Sequence, residues 1–427
     1  MTRPLPPLVS ERLTDGEAGV TSVCTAHPLV IEAALSHGLR TGRRVLIEAT
    51  CNQVNQEGGY TGMTPADFRR FVEAIAARVG FDPTRIILGG DHLGPNPWKR
   101  LPAKDAMLKA KAMIDAYARA GFKKLHLDTS MGCAGEAAAL ADDVTAERAA
   151  SLATVAEAAV GDGPGPVYVI GTEVPVPGGA QHALESLVVT RPEAALRAVE
   201  AHRQAFKAYG LEKAFARAIA VVVQPGVEFA SSEVIAYQPD KARGLVASLG
   251  NLPGFVFEAH STDYQPDASL ESLVRDGFAI LKVGPWLTFA LREALYGLDS
   301  IAQLLEPASP DESLMAAMEA LMLKAPEHWR KYYDGSGEEL RRQRHFSFSD
   351  RIRYYWPRPE AQAAVDRLFA RLGDRIIPAP LVSQHLPALY PAVADGSVIA
   401  QPRELVIAAV HRVLAQYDKA RLGGRSQ

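Results

Sequence analysis

Short apolar runs rich in β-branched residues recur along the first part of the chain: VTSVCTA (20–26), RVLIEAT (44–50), RIILGGD (85–91), KLHLDTS (124–130), PVYVIGT (166–172), AIAVVVQ (218–224), FVFEAHS (255–261) and FAILKVG (278–284). Near-continuous apolarity over so few residues predicts strands buried on both faces. Between them, apolar positions recur at helical spacing in PLVIEAALSH, TPADFRRFVEAIAARV, AKDAMLKAKAMIDAYARA, TAERAASLATVAEAA, RPEAALRAVEAHRQAFKAY and PDKARGLVASL. The alternation is βα throughout. Gly38, Gly80, Gly121, Gly210 and Gly250 each follow a helical pattern and are expected as left-handed C-caps. Thr64 with Asp67, and Thr190 with Glu193, are expected to cap first turns.

Eight candidate strands in roughly 290 residues match a (β/α)8 barrel, whose usual size is about 250. A doubly wound open sheet would carry GxGxxG or GxxxxGK[ST] after its first strand, but CTAHPLVIEAAL follows here. GDGPGP (161–166) precedes a strand and is expected as a connecting turn. The predicted fold is therefore α/β, a TIM barrel spanning 1–295. From about residue 296 the alternation gives way to helical patterns around RRQRHFSFSDRIRYYWP (341–357), so 296–427 is predicted to be a helical C-terminal extension packed on the barrel, with LGGRSQ frayed at its end.

The chain has 427 residues and 48% apolar content, enough for a large core. Lysine plus arginine (46) nearly balance aspartate plus glutamate (49), and a net charge of −3 gives no global reason to expect nucleic acid or an anionic membrane as partner. MTRPLPPLVSERL places prolines and charges where a secretory signal needs an apolar core, and no later apolar stretch has the length of a membrane span. A cytoplasmic location is expected. Cys24, Cys51 and Cys133 are too few and too irregularly spaced for a disulfide framework or a CxxC knuckle, and are expected as small buried hydrophobes.

Polar residues gather at the downstream ends of the predicted strands: Asp91 and His92, His126 and Asp128, Glu173, and His260. Packing does not require acids or imidazoles there, whereas a functional face at the C-terminal mouth of a parallel barrel does. Asp91 beside His92 supplies an acid/base group and a metal ligand to one small volume, provided the strand has ended and both can face inward. The competing reading makes Asp91 a helix N-cap. His126 and Asp128, two apart, share a face and serve either a substrate hydroxyl and a metal's surroundings or an internal hydrogen bond. Glu173 and His260 complete a His/Glu/His set with His92, an arrangement suited to a catalytic divalent metal; the alternative is a wet polar mouth. Gln224, Ser261 and Lys282 are further candidates for substrate contact, with Lys282 either a Schiff-base lysine or, in preference, a counter-ion for nearby acids. His27 and Glu48 either reach the rim or are structural. The arginine- and aromatic-rich stretch fits a lid, a subunit contact or an anion clamp over the mouth better than a nucleic-acid site.

HPLVIEAAL, EATCNQVNQEGGYTGMTPADF, GGDHLGPNPW, LHLDTSM, GTEVPVPGG, FEAHSTDYQ and FSFSDRIRYYWP together resemble the Z-type accessory subunit family of class II D-tagatose-1,6-bisphosphate aldolase, over nearly the whole chain. Members often carry a tagatose 6-phosphate kinase label. The resemblance implies a TIM barrel related to class II aldolases and a role in galactitol or amino-sugar catabolism, stabilising a separate catalytic aldolase chain. For some relatives it implies metal-dependent ketose 4-epimerase activity. The acid/base aspartate and metal-binding histidine of class II aldolases fall on Asp91 and His92, and the histidine after strand seven on His260. The implied cofactor is a divalent metal, zinc or similar. The implied partners are a catalytic class II aldolase subunit and a ketose or ketose phosphate, with homo-oligomerisation also allowed. Two departures stand out. KVGPWLT carries Gly284 and Trp286 where class II aldolases place a polar phosphate-binding segment, and VVVQPGV lacks a second metal-binding histidine. Bisphosphate cleavage by this chain alone is therefore not expected, and neither is kinase activity, since no Walker-type loop or kinase signature is present.

Overall fold

The computed structural model describes residues 4–171 and 187–422. Its strands follow the apolar runs: β1 (Val20–Cys24), β2 (Val45–Thr50), β3 (Ile86–Leu93), β4 (Lys124–Leu127), β5 (Val167–Ile170), β6 (Ala218–Val222), β9 (Val256–Ala259) and β10 (Phe278–Val283). A short antiparallel hairpin, β7 (Glu228–Phe229) with β8 (Val234–Ile235), lies between β6 and β9. The eight parallel strands pair in order and β10 returns to β1, Val20 opposite Ile280, so the sheet closes into a TIM barrel without an edge. Several runs end earlier than predicted, leaving Asp128 and His260 just beyond β4 and β9.

Local signals explain most helix boundaries. Thr64 and Asp67 form a capping box, each side chain receiving the other's backbone N–H, with Pro65 at the first helical position. The turn expected at 161–166 separates helix Asp142–Val160 from β5. Three expectations need correction. Gly38 lies inside helix Pro28–Thr41, and the left-handed cap is Gly42 (φ 67°); a Cβ on Gly38 would come within 2.3 Å of Val45 Cγ2, so that glycine permits close helix–strand packing. Gly250 sits in a 3-10 turn without positive φ. Thr190 does not cap the helix Pro192–Ala208; its hydroxyl accepts the Gln224 N–H at 2.9 Å.

The bore is layered. At its N-terminal end, helix Pro7–Leu13 inserts Val9 and Leu13 against Val20, Leu46, Ile87 and Ile280, so the opening residues act as an apolar plug. Above this lie inward-facing charged residues, and above those the residues of the mouth.

Residue 295, the expected barrel boundary, falls within the continuous helix Pro285–Leu305. The following helices share the barrel's hydrophobic core. The last one, Pro402–Arg421, packs against helices Pro28–Thr41, Asp267–Arg275 and Pro285–Leu305, taking a place in the ring around the barrel. Its Tyr417 hydroxyl donates to the Thr262 carbonyl at 2.8 Å, close to the mouth. The segment after helix Gly337–Phe346 crosses the C-terminal face: Phe348 N–H donates to the Ser231 carbonyl at 2.9 Å, and Tyr264 donates to the Phe348 carbonyl at 2.7 Å. Among the described residues no helix is long and apolar enough to cross a membrane.

Candidate active site

Strand periodicity explains how charge enters the bore. Residues 124 and 126 of β4 share a face, as do Glu258 of β9 and His260 beyond it. Lys124 bridges Glu48 (2.5 Å) and Glu258 (2.8 Å), while Lys282 reaches Glu48 (2.6 Å), Asp91 (2.6 Å) and Glu258 (3.7 Å). Glu48, Lys124 and Glu258 are wholly buried. Glu48 therefore lies deep in the barrel, away from the rim, and Gly89 makes room for it, since a Cβ there would lie 2.7 Å from Glu48 Cγ. Burial opposes the charge on Lys282, but Asp91, Cys24, Glu48 and Glu258 outweigh it and hold the amine well above its ordinary range. A protonated, triply paired amine is a counter-ion and no Schiff-base nucleophile.

The Asp91–His92 pair reaches one volume by a route different from the one expected. β3 continues to Leu93, but its pairing with β4 shifts between Gly90 and Leu93, and His92 takes a left-handed conformation (φ 49°). That irregularity re-aims consecutive side chains without ending the strand. Ser261, Tyr264 and Asp350, the other non-glycine residues with positive φ among those described, also surround the mouth. Such backbone is costly and collects where the surroundings impose it, commonly at active sites.

Three imidazoles converge here, with ring centroids 4.9 Å apart for His92 and His260, and 5.2 Å for His126 with each of the others. Each sets one ring nitrogen against a carboxylate: His126 Nδ1 with Asp91 (2.9 Å), His92 Nδ1 with Asp128 (2.8 Å) and His260 Nε2 with Glu258 (2.9 Å). His126 Nδ1 also lies 3.2 Å from the His92 backbone nitrogen, whose N–H it accepts only in the tautomer that does not donate to Asp91. Fixing one nitrogen this way turns the other into a directed lone pair, as in metal-ligating histidines. His126 Nε2 is buried and has no hydrogen-bond partner. One donor atom from each of Asp91, His126, Glu258 and His260 lies within 4.8 Å of every other. A tetrahedral ion held at about 2.0–2.1 Å by one nitrogen per ring would space ring centroids about 5 Å apart, so the donor set fits a divalent cation. His126, expected as a substrate contact, and Glu258 thus join His260 in the tight group, with His92 alongside. Glu173 lies outside the described residues.

Electrostatics divide the roles. Burial would raise Asp91, but His92, Lys282, His126 and His260 hold its carboxyl well below the usual range. Asp128 is likewise brought down to about 2, burial being outweighed by its bond to His92. Burial lowers His260 to about 3 despite Glu258, leaving its ring neutral, whereas Asp91 and Asp128 raise His92 against the effect of burial. Both carboxylates are therefore ionised near neutrality.

Asp91, His92, His260, Ser261 and Lys282 line one chamber of about 80 Å³, together with Asn52 and Gln53 from the loop after β2 and Arg353 from the extension. A larger chamber of about 560 Å³ adjoins it, sharing Cys24, Gln53, Tyr60, Gly284 and Arg353 as lining, with His27 and Trp356 further out. Gln224 lines neither; its amide oxygen accepts the N–H groups of Gly226 (2.8 Å) and Val227 (3.0 Å). Sequence reasoning missed Asn52, Gln53 and Asp263 as individual residues, because they lie on loops without a patterned signal. Arg353 lay within a stretch singled out for its arginines and aromatics. Two of its five arginines turn inward: Arg344 pairs with Glu319, and Arg351 stacks on Tyr332.

Residues 5–421 match the family described as D-tagatose-1,6-bisphosphate aldolase subunit GatZ/KbaZ-like. A protein of Agrobacterium fabrum named D-tagatose 6-phosphate 4-epimerase is 54% identical over the full length of both chains. A crystal structure from Sinorhizobium meliloti 1021, named as a probable tagatose 6 phosphate kinase, superposes with a TM-score of 0.88 at 58% identity, covering 94% of this chain and all of the other.

Proposed function

We infer, for a chain that belongs to the D-tagatose-1,6-bisphosphate aldolase subunit GatZ/KbaZ-like family, that it is itself a catalyst: a metal-dependent 4-epimerase of a ketose 6-phosphate. The observation that carries this reading is the ionised Asp91 carboxylate beside three imidazoles, each set against an acid, with Asp91, His92 and His260 lining one chamber and His126 buried behind them. A passive subunit has no use for so much buried charge, which is costly unless it is needed. The full-length relative named as a 4-epimerase supports the same conclusion.

In the proposed reaction Asp91 accepts the proton of the C4 hydroxyl. The C3–C4 bond breaks, its electron pair moves onto the former C2 carbonyl to give an enediolate, and C4 becomes an aldehyde. After the aldehyde turns to present its other face, C3 adds back and Asp91 returns the proton to the C4 oxygen with inverted configuration. The charges that keep Asp91 ionised also make the proton short-lived on it, which favours its prompt return. Lys282, 2.6 Å from Asp91, keeps positive charge next to the developing oxyanions. A divalent ion held by His126, Glu258 and His260, with His92 alongside, would supply Lewis-acid polarisation of the C2 carbonyl.

The kinase name of the structural relative is not carried over, because the residues after β1 form no phosphate-cradling loop. The family description favours a second reading, an accessory partner of a catalytic aldolase chain. Incubating the purified chain with D-tagatose 6-phosphate and Zn2+ or Mn2+ and following D-fructose 6-phosphate decides between them. Interconversion abolished by chelation and restored by the ion is the expected result. An inert chain that lengthens the lifetime of a catalytic class II aldolase subunit would replace epimerisation with the accessory role.

A further inference from the structure

The C-terminal extension contributes a cation to the place where the two chambers meet. Arg353 lies in the 3-10 turn Arg351–Tyr355 and lines both chambers. Its Nη1 donates to the carbonyls of Ser349 and Asp350, and its Nη2 to the Tyr354 hydroxyl at 3.1 Å. A guanidinium has about five N–H donors, so Nε–H and one N–H of Nη2 are without a hydrogen-bond partner among the described residues. Among the described residues no carboxylate lies within ion-pair distance of Arg353. The other arginines of the outer chamber, Arg403 and Arg78, share Glu32 (2.6 and 3.7 Å) and have more than half of their side chains exposed, and Lys282 is taken by three acids.

The more usual anion receptor, the N-terminus of the helix after the last barrel strand, is already filled. Asp263 Oδ1 accepts the N–H groups of Gly284 (3.0 Å) and Trp286 (2.8 Å) at the start of helix Pro285–Leu305. A substrate anion placed there would meet a carboxylate in place of free N–H groups. Asp91 lines the inner chamber, and Arg353 lines both chambers where they adjoin. A substrate with its reacting carbons at Asp91 can therefore extend its far end toward Arg353 and the outer chamber.

We propose that Arg353 is the receptor for the terminal phosphate of the substrate, so that the C-terminal extension sets the enzyme's preference for phosphorylated over free ketoses. The assignment rests on the ketose 6-phosphate reading above and adds the specificity determinant. Recognition is a fork from Nε and Nη2 onto two phosphate oxygens, with the backbone carbonyls of Ser349 and Asp350 holding the guanidinium in place.

Calorimetric binding of D-tagatose 6-phosphate and of D-tagatose to the metal-loaded wild-type, Arg353→Gln and Arg353→Lys chains tests it. Wild type should bind the phosphorylated sugar about a hundredfold more tightly or better, Arg353→Gln should remove most of that ratio, and Arg353→Lys, which keeps the charge without the fork, should leave an intermediate ratio. The affinity for free tagatose should change less than threefold in both variants by the same reasoning. If Arg353→Gln does not fold, the Lys variant decides: a lowered ratio supports the assignment and an unchanged ratio overturns it. A ratio unchanged in Arg353→Gln, or a wild type that does not distinguish the two sugars, also overturns it. Binding needs no turnover, so a chain that binds the phosphate through Arg353 but does not epimerise would sink the functional reading alone, and active epimerisation with an unchanged ratio would sink only the phosphate assignment.

Discussion

At the N-terminal end of the barrel, Val9 and Leu13 close the bore with a dry plug; at the C-terminal end the same bore opens onto Asp91, three histidines and a strap from the extension. The plug has little to specify, because apolar contact is non-directional and any well-filled surface would do. The mouth is over-determined, with left-handed backbone at His92 and Ser261 and a carboxylate behind every imidazole. Apolar packing fills the bottom of the barrel and the proposed chemistry lies at the top, with the ion ring of Glu48, Lys124, Glu258 and Lys282 between them.

The sharpest way to break this division is Asp91→Asn, which keeps the shape of the mouth and removes the proposed proton acceptor. Epimerase kcat should fall by about 10²–10⁴ when assayed well below the melting temperature, and the melting temperature should fall too, because Lys282 and His126 lose a buried anionic partner. Retained turnover would move the base elsewhere.

Lys124→Met attacks the layer between the two ends, stranding Glu48 and Glu258 with less than their full complement of positive charge. Denaturant unfolding should show a loss of about 3–5 kcal/mol. A neutral result would mean that the ring is not a structural requirement.

Leu13→Ala opens a cavity in the plug and should cost about 2–5 kcal/mol in unfolding free energy, leaving kcat and KM unchanged well below the melting temperature. A change in KM would show that the two ends are coupled through the barrel wall.

The last expected effect is a pH signature beside the mouth. Burial pushes the Asp350 carboxyl up to about 7, against the pull of Arg292, its bond from Thr288 and Arg353. The native state then keeps a proton that the unfolded chain releases near pH 4, so this group's contribution to stability declines as pH rises from about 4 to about 7 and is flat above. Asp350→Asn retains a side chain that tolerates positive φ and removes the titration. The melting-temperature difference between variant and wild type should be near zero at about pH 4 and grow in favour of the variant up to about pH 7. A constant difference would show that Asp350 does not titrate in this range.

The barrel was legible because each strand announces itself locally: β-branched apolar runs, bounded by proline and glycine, repeat with helical patterns between them. Asp91, His92, His126 and His260 were legible as departures from that pattern at run ends. Lys124 and Glu258 also interrupted apolar runs, yet their partnership could not be read, because ion pairs formed across a closed barrel leave no spacing in the chain. His92 shows a similar limit: its neighbours Gly89, Gly90 and Gly94 hinted at unusual backbone, but only the register shift against β4 made it left-handed. The expected boundary at residue 295 lies inside a helix for a related reason. Helix Pro285–Leu305 carries the last barrel helix straight into the extension, and Pro402–Arg421 returns to the barrel from the far end of the chain.

The residues alone determined which segments become strands and helices and which acids and imidazoles end up at strand termini, because propensity and periodicity act over a few neighbouring positions. Only the tertiary structure decided what those groups face: that His126 carries a bare nitrogen into the cluster, that Asp263 occupies the helix terminus an anion would otherwise use, and that Arg353 arrives at the mouth from the extension. Those outcomes depend on barrel closure and long-range packing, which bring together positions far apart in the chain.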